Sequence, residues 1–195
     1  TYESNVKGIY VVGALGGYPL IKQAMNQGYE VVESILGRAV EPADEPLLRQ
    51  KFAGLRSART VNDALALIQN NVPLLAGITT LQLREFMLDS EIRTPSAGEV
   101  IFQRNDYSNS FYSVVEGGVE VEIPGGERSG QRITVAQGQF FGELGLISGR
   151  RRAATVRAGR DCVLIETPRR AMLKLIASVD SVRKLLDQEA LKHAL

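Results

Sequence analysis

Short β-forming runs separated by glycine-rich turns fill residues 92–166 and constrain the fold of this chain more than any other feature. The runs are rich in Val, Ile, Phe and Tyr, which favour strands. They cover residues 100–102, 111–115, 119–123, 133–135, 154–156 and 162–165. Glycine pairs at 117–118 and 125–126 separate neighbouring runs. Many short strands at this spacing predict a closed antiparallel β-roll, similar to a jelly roll.

Helical patterns flank the predicted roll on both sides. They occur at residues 47–55, 61–69 and 80–88 before it, and from Pro168 to Leu195 after it. The C-terminal pattern breaks near residues 178–180, which predicts two helices. The sequence therefore predicts a mixed α and β fold, an antiparallel β-roll with flanking N-terminal and C-terminal helices.

The first forty residues differ in character from the rest. The run at 8–12 is β-branched and aromatic and predicts a short buried strand, and the glycines at 13–17 predict a loop. Pro19 opens a predicted helix that continues to Leu36 and ends at Gly37. An acidic, proline-containing stretch follows at 41–46. We therefore predict three segments: a strand and helix at 1–40, a helical linker at 41–71 and the roll domain at 72–195.

Composition excludes several classes of protein. The 23 basic and 22 acidic residues nearly cancel, so no overall field favours nucleic acid or an anionic membrane. No stretch has the length and apolarity of a transmembrane helix, and no signal peptide is visible. A single cysteine, Cys162, makes no intramolecular disulfide and no metal site by itself. We expect a cytoplasmic protein without catalytic or metal-binding residues, and the start at Thr1 predicts a piece of a longer chain.

The stretch from Phe140 to Ile147, followed five positions later by Arg152, has the chemistry of a phosphate site. A turn at Gly142 lets backbone N–H groups of a short helix face an anion. Glu143 adds a carboxylate acceptor that suits a pair of hydroxyl groups, such as a ribose edge. Arg152 adds a guanidinium that matches a phosphate in a bidentate way, beside the small residues Ala153 and Ala154.

This pattern, Phe-Gly-Glu-Leu-x-Leu and then Arg-x-Ala-Thr-Val, resembles the phosphate-binding cassette of cyclic nucleotide-binding domains, as in protein kinase A regulatory subunits and catabolite activator protein. The similarity extends upstream through Gly98-Glu99-Val100-Ile101-Phe102 and residues 111–117, and downstream to residues 161–164. It covers roughly residues 72–190, and an ordered series of matches is more specific than one motif. Two positions depart from the family: Arg151 replaces a usual proline, and Gly145 replaces a common alanine.

The resemblance implies a regulatory domain whose ligand is a cyclic nucleotide. It implies a site formed by Gly142, Glu143, Leu144, Arg152, Ala153, Ala154 and Thr155, with Glu143 on the ribose 2′-hydroxyl. Ala153 resembles the cAMP-preferring form of the cassette, and a threonine there often accompanies cGMP preference. The tail contains no aromatic residue, so an aliphatic lid over the base is expected.

Residues 6–13, Val-Lys-Gly-Ile-Tyr-Val-Val-Gly, carry a second resemblance, to the end of the FAD domain of thioredoxin-reductase-like flavoproteins. Ala14 stands where that family has an aspartate, which argues against a flavin contact in this chain. The resemblance implies that FAD belongs to a longer parent protein, in which an upstream oxidoreductase-like domain of the same polypeptide is the partner. The alternative function is a fragment of such an enzyme whose C-terminal roll is a ligand-free interaction module. A second copy of the chain, in a homodimer, is a further candidate partner.

Overall fold

The structure is a computed structural model that describes residues 2–16, 21–38, 41–122, 132–143, 145, 149 and 151–193. The chain forms two compact units, Thr1–Leu47 and Leu48–Leu195. The first unit is small and helical in its described residues, and the second combines helices with two β-sheets. None of the described helices has the length and apolar content needed to cross a membrane.

The first unit contains a 3-10 helix, Gly13–Gly16, and helix α1, Ile21–Ile35. The backbone N–H of Gly13 donates to the buried side-chain oxygen of Gln27 at 2.7 Å, which joins the two helices. Gly37 adopts a φ of +73° just after α1, so the predicted helix end is confirmed. The predicted strand at 8–12 is wrong, because its only ladder contact in the described residues is one bridge, from Glu3 to Tyr10. A β-branched run needs a hydrogen-bonded neighbour to become a strand.

Helices precede the roll. They are α2 (Glu45–Lys51), a 3-10 helix (Phe52–Gly54), α3 (Val61–Asn71), a 3-10 helix (Pro73–Leu75) and α4 (Thr80–Asp89). Thr60 and Asp63 form a reciprocal capping box at the start of α3, and Thr79 and Gln82 form another at the start of α4. Such boxes satisfy backbone donors that the first helical turn leaves unpaired. The two helix starts are thus encoded locally.

The roll is made of eight described strands. They are β1 (Glu91–Arg93), β2 (Val100–Phe102), β3 (Phe111–Glu116), β4 (Gly118–Glu122), β5 (Arg132–Ala136), β6 (Phe140–Phe141), β7 (Thr155–Ala158) and β8 (Val163–Thr167). One sheet has the order β1-β8-β3-β6 and the other β2-β7-β4-β5. All pairings are antiparallel, which confirms the predicted antiparallel roll. The predicted turn at Gly125-Gly126 lies outside the described residues.

Two hydrophobic clusters fill the second unit. One cluster joins α2, α3 and α4 to the roll through residues such as Leu48, Leu65 and Phe111. The other lies within the roll and includes Tyr112 and Cys162. Strand β3 serves both clusters, because successive side chains of a strand point to opposite faces. Residues 48–71, in the segment predicted as a linker, therefore pack as part of the second unit, and the predicted domain assignment itself stays a prediction.

Two helices close the chain, α5 (Arg169–Ser178) and α6 (Asp180–His193). The predicted break near residues 178–180 is confirmed, since Val179 between them is extended. Val182 and Leu186 of α6 are buried in the cluster that contains the N-terminal helices of the unit. Helix α6 also contacts the 3-10 helix Pro73–Leu75. This places α6 beside the segment that joins α3 to α4.

Candidate functional site

A cavity of about 410 Å³ opens in the roll. Its wall includes five of the seven predicted ligand-binding residues, namely Gly142, Glu143, Arg152, Ala153 and Ala154. These residues come from two segments, one after β6 and one before β7. A volume in this range is typical of pockets for small molecules and cofactors.

Gly142 makes the close approach between the two segments possible. Its φ is +87°, in the left-handed region that glycine adopts without strain. A Cβ atom at this position would lie 2.8 Å from Arg152 Nη1 and 3.0 Å from the carbonyl oxygen of Ser110. Glycine is therefore required at this position for both its backbone angle and its lack of a side chain.

Arg152 lies under the cavity wall with only 3% of its surface exposed. Its Nε donates to Ser108 Oγ at 2.8 Å, and its Nη2 donates to the carbonyl of Ser110 at 2.7 Å. Its Nη1 donates to the carbonyl of Gly142 at 3.2 Å. Bonds to described residues thus use three of the five N–H groups that a guanidinium carries. These three bonds hold the side chain in one orientation, and the guanidinium carries two further N–H groups beside them.

The environment of Arg152 combines burial with an aromatic stack. The guanidinium carbon lies 4.1 Å from the centroid of the Phe102 ring and 5.8 Å from that of Tyr112. Burial lowers the pKa of Arg152, while the nearby Tyr112, Glu166, Glu143 and Asp106 act in the opposite direction. An arginine stays protonated in proteins despite such burial, because its guanidinium is a very weak acid. A buried cation of this kind favours an anionic ligand in the adjoining cavity.

Tyr112 and Glu166 form a second polar contact near the arginine. The Tyr112 hydroxyl donates to Glu166 Oε1 at 2.9 Å, and Arg93 donates to Glu166 Oε2 at 3.2 Å. Burial, together with the Glu166 carboxylate, raises the pKa of Tyr112 to about 12. Tyr112 therefore stays a neutral hydrogen-bond donor at physiological pH.

The loop between β2 and β3, residues 103–110, supplies contacts that the sequence analysis did not predict. Besides Ser108 and Ser110, its backbone pairs with Arg152 itself: Asn105 N donates to Arg152 O at 2.9 Å, and Arg152 N donates to Asp106 O at 3.1 Å. These residues are more than forty positions from Arg152 in sequence. No local motif marks them, since a loop rich in Ser and Asn is an ordinary loop composition.

The rest of the cavity wall is mainly apolar, with both aliphatic and aromatic side chains. It includes Leu74, Val121, Ile133, Val135 and Leu185. Val121 faces Ile133 across the β4–β5 pair, so both side chains lie on one face of the sheet. Leu185 comes from α6, and the aliphatic lid over the base stays a prediction. The arrangement can hold a ligand that has an anionic group and a flat apolar group.

The other two predicted ligand-binding residues are Leu144 and Thr155. Leu144 lies outside the described residues. Thr155 does not line the cavity, and its hydroxyl accepts a hydrogen bond from the backbone N–H of Arg104 at 3.1 Å. Cys162 is buried in the roll, as predicted for a core residue, and burial raises the pKa of its thiol to about 11.

Comparison with known proteins shows to which family and fold the chain is similar. Residues 92–179 match the family model of the cyclic nucleotide-binding domain. A cyclic nucleotide-gated potassium channel of Mesorhizobium japonicum is 31% identical over 122 residues, which cover 63% of this chain and 33% of the channel. The first three curated relatives are covered over 25% to 33% of their length, so the chain spans a third or less of them.

Solved structures show the same fold. The regulatory domain of Toxoplasma gondii protein kinase A, solved with cAMP, has a TM-score of 0.53 at 25% identity and covers 66% of this chain and 48% of its own. The Thermus thermophilus catabolite activator protein has a TM-score of 0.52 at 26% identity and covers 63% of this chain and 58% of its own. The chain therefore carries a domain of the cyclic nucleotide-binding domain family.

Proposed function

We propose that this domain binds cAMP in the cavity, with the ligand phosphate on Arg152 and its adenine against the aliphatic wall. A cyclic nucleotide-binding domain is a regulatory module, so binding serves to control another activity. The observation that supports the proposal best is the buried, fixed guanidinium of Arg152 beside a cavity of about 410 Å³. The T. gondii domain was solved with cAMP, which supports the same ligand class here.

The binding site of the phosphate follows from the donors around the cavity. The cavity is lined by Arg152 together with Gly142, Glu143 and Gly145. Charge-assisted hydrogen bonds between a guanidinium and phosphate are short and strong. Ala153 and Ala154 leave room for a ligand to approach the backbone, because their side chains are small.

Calorimetric titration with cAMP and cGMP tests this proposal directly. We expect cAMP to bind, and Arg152→Ala to weaken it by about 30-fold to several thousand-fold, the range for losing a buried charge partner. Arg152→Lys keeps the charge but loses the planar fork, so it should also weaken binding by at least about tenfold. Arg157→Lys is the matched control, because Arg157 is a partly buried arginine of β7 that does not line the cavity.

Two outcomes would contradict the proposal in different ways. No heat with either nucleotide would favour a ligand-free interaction module. If Arg152→Lys and Arg157→Lys changed the cAMP dissociation constant equally, the phosphate would bind elsewhere. Thermal melting of each variant separates loss of folding from loss of binding, since Arg152 also bonds to three groups of the protein.

We also propose that Glu143 accepts a hydrogen bond from the ribose 2′-hydroxyl. Glu143 lines the cavity and is buried, with only 5% of its surface exposed. A hydrogen bond to a charged group contributes about 1.5 to 3 kcal/mol, so 2′-deoxy-cAMP should bind roughly 10- to 100-fold more weakly than cAMP. In Glu143→Gln the two ligands should differ less, because the acceptor loses its charge. Equal affinities of the two ligands for the wild type would remove Glu143 from this role.

The regulated partner is proposed from the sequence alone. An upstream oxidoreductase-like domain of the same polypeptide, carrying FAD, follows from the resemblance of residues 6–13. The described chain forms a separate unit there, Thr1–Leu47. Purification of the full-length parent and its flavin absorbance test this part, and a parent without flavin would contradict it. A cytoplasmic location and a homodimer belong to the same set of untested proposals.

A further inference from the structure

Arg151 occupies a position where the resembling family usually has proline, and its side chain makes two contacts with the β2–β3 loop. Its Nη1 donates to the carbonyl oxygen of Asn105 at 2.9 Å. Its guanidinium carbon lies 5.2 Å from the centroid of the Tyr107 ring. We infer that Arg151 is a positioning residue, which holds the loop 103–110 in the form that orients Arg152 toward the ligand. This inference rests on the proposed function of the cavity.

The loop is the direct support of Arg152. Its residues receive hydrogen bonds from the guanidinium at Ser108 and Ser110, and its backbone pairs with both the N–H and the carbonyl of Arg152. A displacement of the loop would therefore move the guanidinium that we assign to the phosphate. Changes of about 1 Å in the position of a binding group are enough to lower affinity.

Hydrogen bonds within the loop join Gln103 and Asp106, at its N-terminal end. The Asp106 carboxylate accepts from the backbone N–H of Gln103 at 2.7 Å, and Asp106 N donates to Gln103 O at 3.1 Å. Asn105, next to this turn, has a φ of +71°, in the left-handed region that Asn tolerates better than most residues. The carbonyl of this Asn105 is the one that Arg151 binds. Arg151 thus stabilises the residue with the least favourable backbone angle in the loop.

Tyr107 provides the second half of the contact. Its surface is 83% exposed, so packing in the core of the roll does not hold its ring in position. Stacking against the Arg151 guanidinium covers part of one ring face, and such contacts contribute modestly at exposed sites. A proline in place of Arg151 would restrict its own segment through its ring, whereas Arg151 fixes the cassette by joining it to a second segment.

Binding measurements with matched variants test this inference. We expect Arg151→Ala and Tyr107→Ala each to raise the cAMP dissociation constant by about 3- to 10-fold, the range for losing a contact at the surface. The double variant should be no weaker than Arg151→Ala alone, because both changes break one contact set. Arg160→Ala is the control for charge, since Arg160 is exposed in the turn after β7 and is not among the residues that line this cavity. It should leave the dissociation constant unchanged.

A second measurement needs no ligand. Hydrogen exchange of the Asn105 and Arg152 amides reports on the two backbone bonds that join loop and cassette. Arg151→Ala should speed exchange at both amides, and Arg160→Ala should not. If the wild type bound no nucleotide but exchange changed in this way, the proposed function would fail and the positioning role would stand. Unchanged exchange, or equal dissociation constants for Arg151→Ala and Arg160→Ala, would overturn the inference.

Discussion

Gly142 shows how one residue sets the geometry of the candidate site. Its φ of +87° and the 2.8 Å distance from an added Cβ to Arg152 Nη1 leave room for glycine alone. Gly142→Ala should therefore strain the backbone and push the guanidinium from its place. We expect the cAMP dissociation constant to rise at least about tenfold, since a change of about 1.4 kcal/mol has that effect. Calorimetry measures it.

Gly98→Ala is the matched control for this substitution. Gly98 has a similar φ of +83°, and a Cβ there would meet nothing within 4 Å. Both variants should lose stability in chemical denaturation, because both place a side chain in the left-handed region. Only Gly142→Ala should lose affinity. Equal affinity losses in the two variants would attribute the effect to general destabilisation.

Ala153 is the residue at which base preference can be tested. Its small, exposed side chain lines the cavity, so a larger side chain fits there without disturbing the core. Ala153→Thr adds a hydroxyl beside the ligand that could bond to the guanine amino group. We expect the cGMP affinity to rise relative to cAMP in competition titrations. An unchanged affinity ratio would contradict this role, and Ala153→Val controls for the added volume.

The residues of the site differ in how far the sequence reveals them. Gly142, Glu143 and Arg152 follow from local chemistry, because a glycine turn, a carboxylate and an arginine lie within eleven residues of one another. Ser108 and Ser110 do not follow, because their contact with Arg152 depends on the pairing of distant segments. Register between strands is a property of the folded sheet, and short motifs carry no information on it.

At the scale of elements, helix α6 joins the cavity to the helical part of the domain. Leu185 lines the cavity, while Val182 and Leu186 are buried in the cluster shared with α3 and α4. Leu185→Ala should weaken cAMP binding by roughly 3- to 10-fold through lost apolar contact. Leu173→Ala is the matched control, because Leu173 and Leu185 are 39% and 38% exposed and only Leu185 lines the cavity. Equal effects of the two variants would exclude a lid function for α6.

Hydrogen exchange tests whether α6 also transmits the signal. A ligand that contacts Leu185 favours the docked helix over any opened state, so the population shifts toward docking. We expect saturating cAMP to add protection within residues 179–192, most strongly near Leu185. Equal exchange with and without cAMP would mean that α6 is a fixed part of the fold. The signal would then leave through another element.

The elements that the sequence predicts are those with a local signal. The helical patterns at 61–69 and 80–88 and the six β-forming runs all correspond to helices or strands of the structure. Strands β1 and β6 are not among the six predicted runs, and their pairing with β8 and β3 identifies them in the structure. The run at 8–12 fails for the opposite reason, as it has the strand composition but forms only a single bridge, between Tyr10 and Glu3, in the described chain.

At the scale of the whole molecule, strand β3 makes the helices and the roll of the second unit interdependent. Phe111 and Val115 lie in the cluster with the helices, and Tyr112 and Val114 lie in the cluster within the roll. Phe111 is fully buried, so Phe111→Ala should lower the free energy of unfolding by about 3 to 5 kcal/mol. Both clusters should unfold in one transition in chemical denaturation. Two separate transitions would show that the clusters fold independently.

Cys162 offers a chemical probe of that same unfolding. It is the only cysteine, it is buried beside the sheet of β7 and β4, and burial raises the pKa of its thiol to about 11. Thiol reagents attack the thiolate, so at pH 8 the folded domain should resist labelling until it opens. In the opened chain the thiol has a pKa near 8.5, so a substantial fraction is thiolate at pH 8 and labelling is rapid. The labelling rate therefore measures the population of the opened state when reclosing is fast.

Ligand binding should lower that rate by a predictable factor. A ligand that binds only the folded domain reduces the opened population by a factor of 1 + [L]/Kd. This factor is about 100 when the free ligand concentration is 100 times Kd. We expect cAMP to slow the labelling of Cys162 by this factor, and 5′-AMP, which lacks the cyclic phosphate, to slow it far less. In Arg152→Lys the cAMP effect should shrink in proportion to the weaker binding, because the guanidinium carries the phosphate contact. Equal protection by cAMP and 5′-AMP, or full protection in Arg152→Lys, would show that the nucleotide stabilises the fold without using the proposed site.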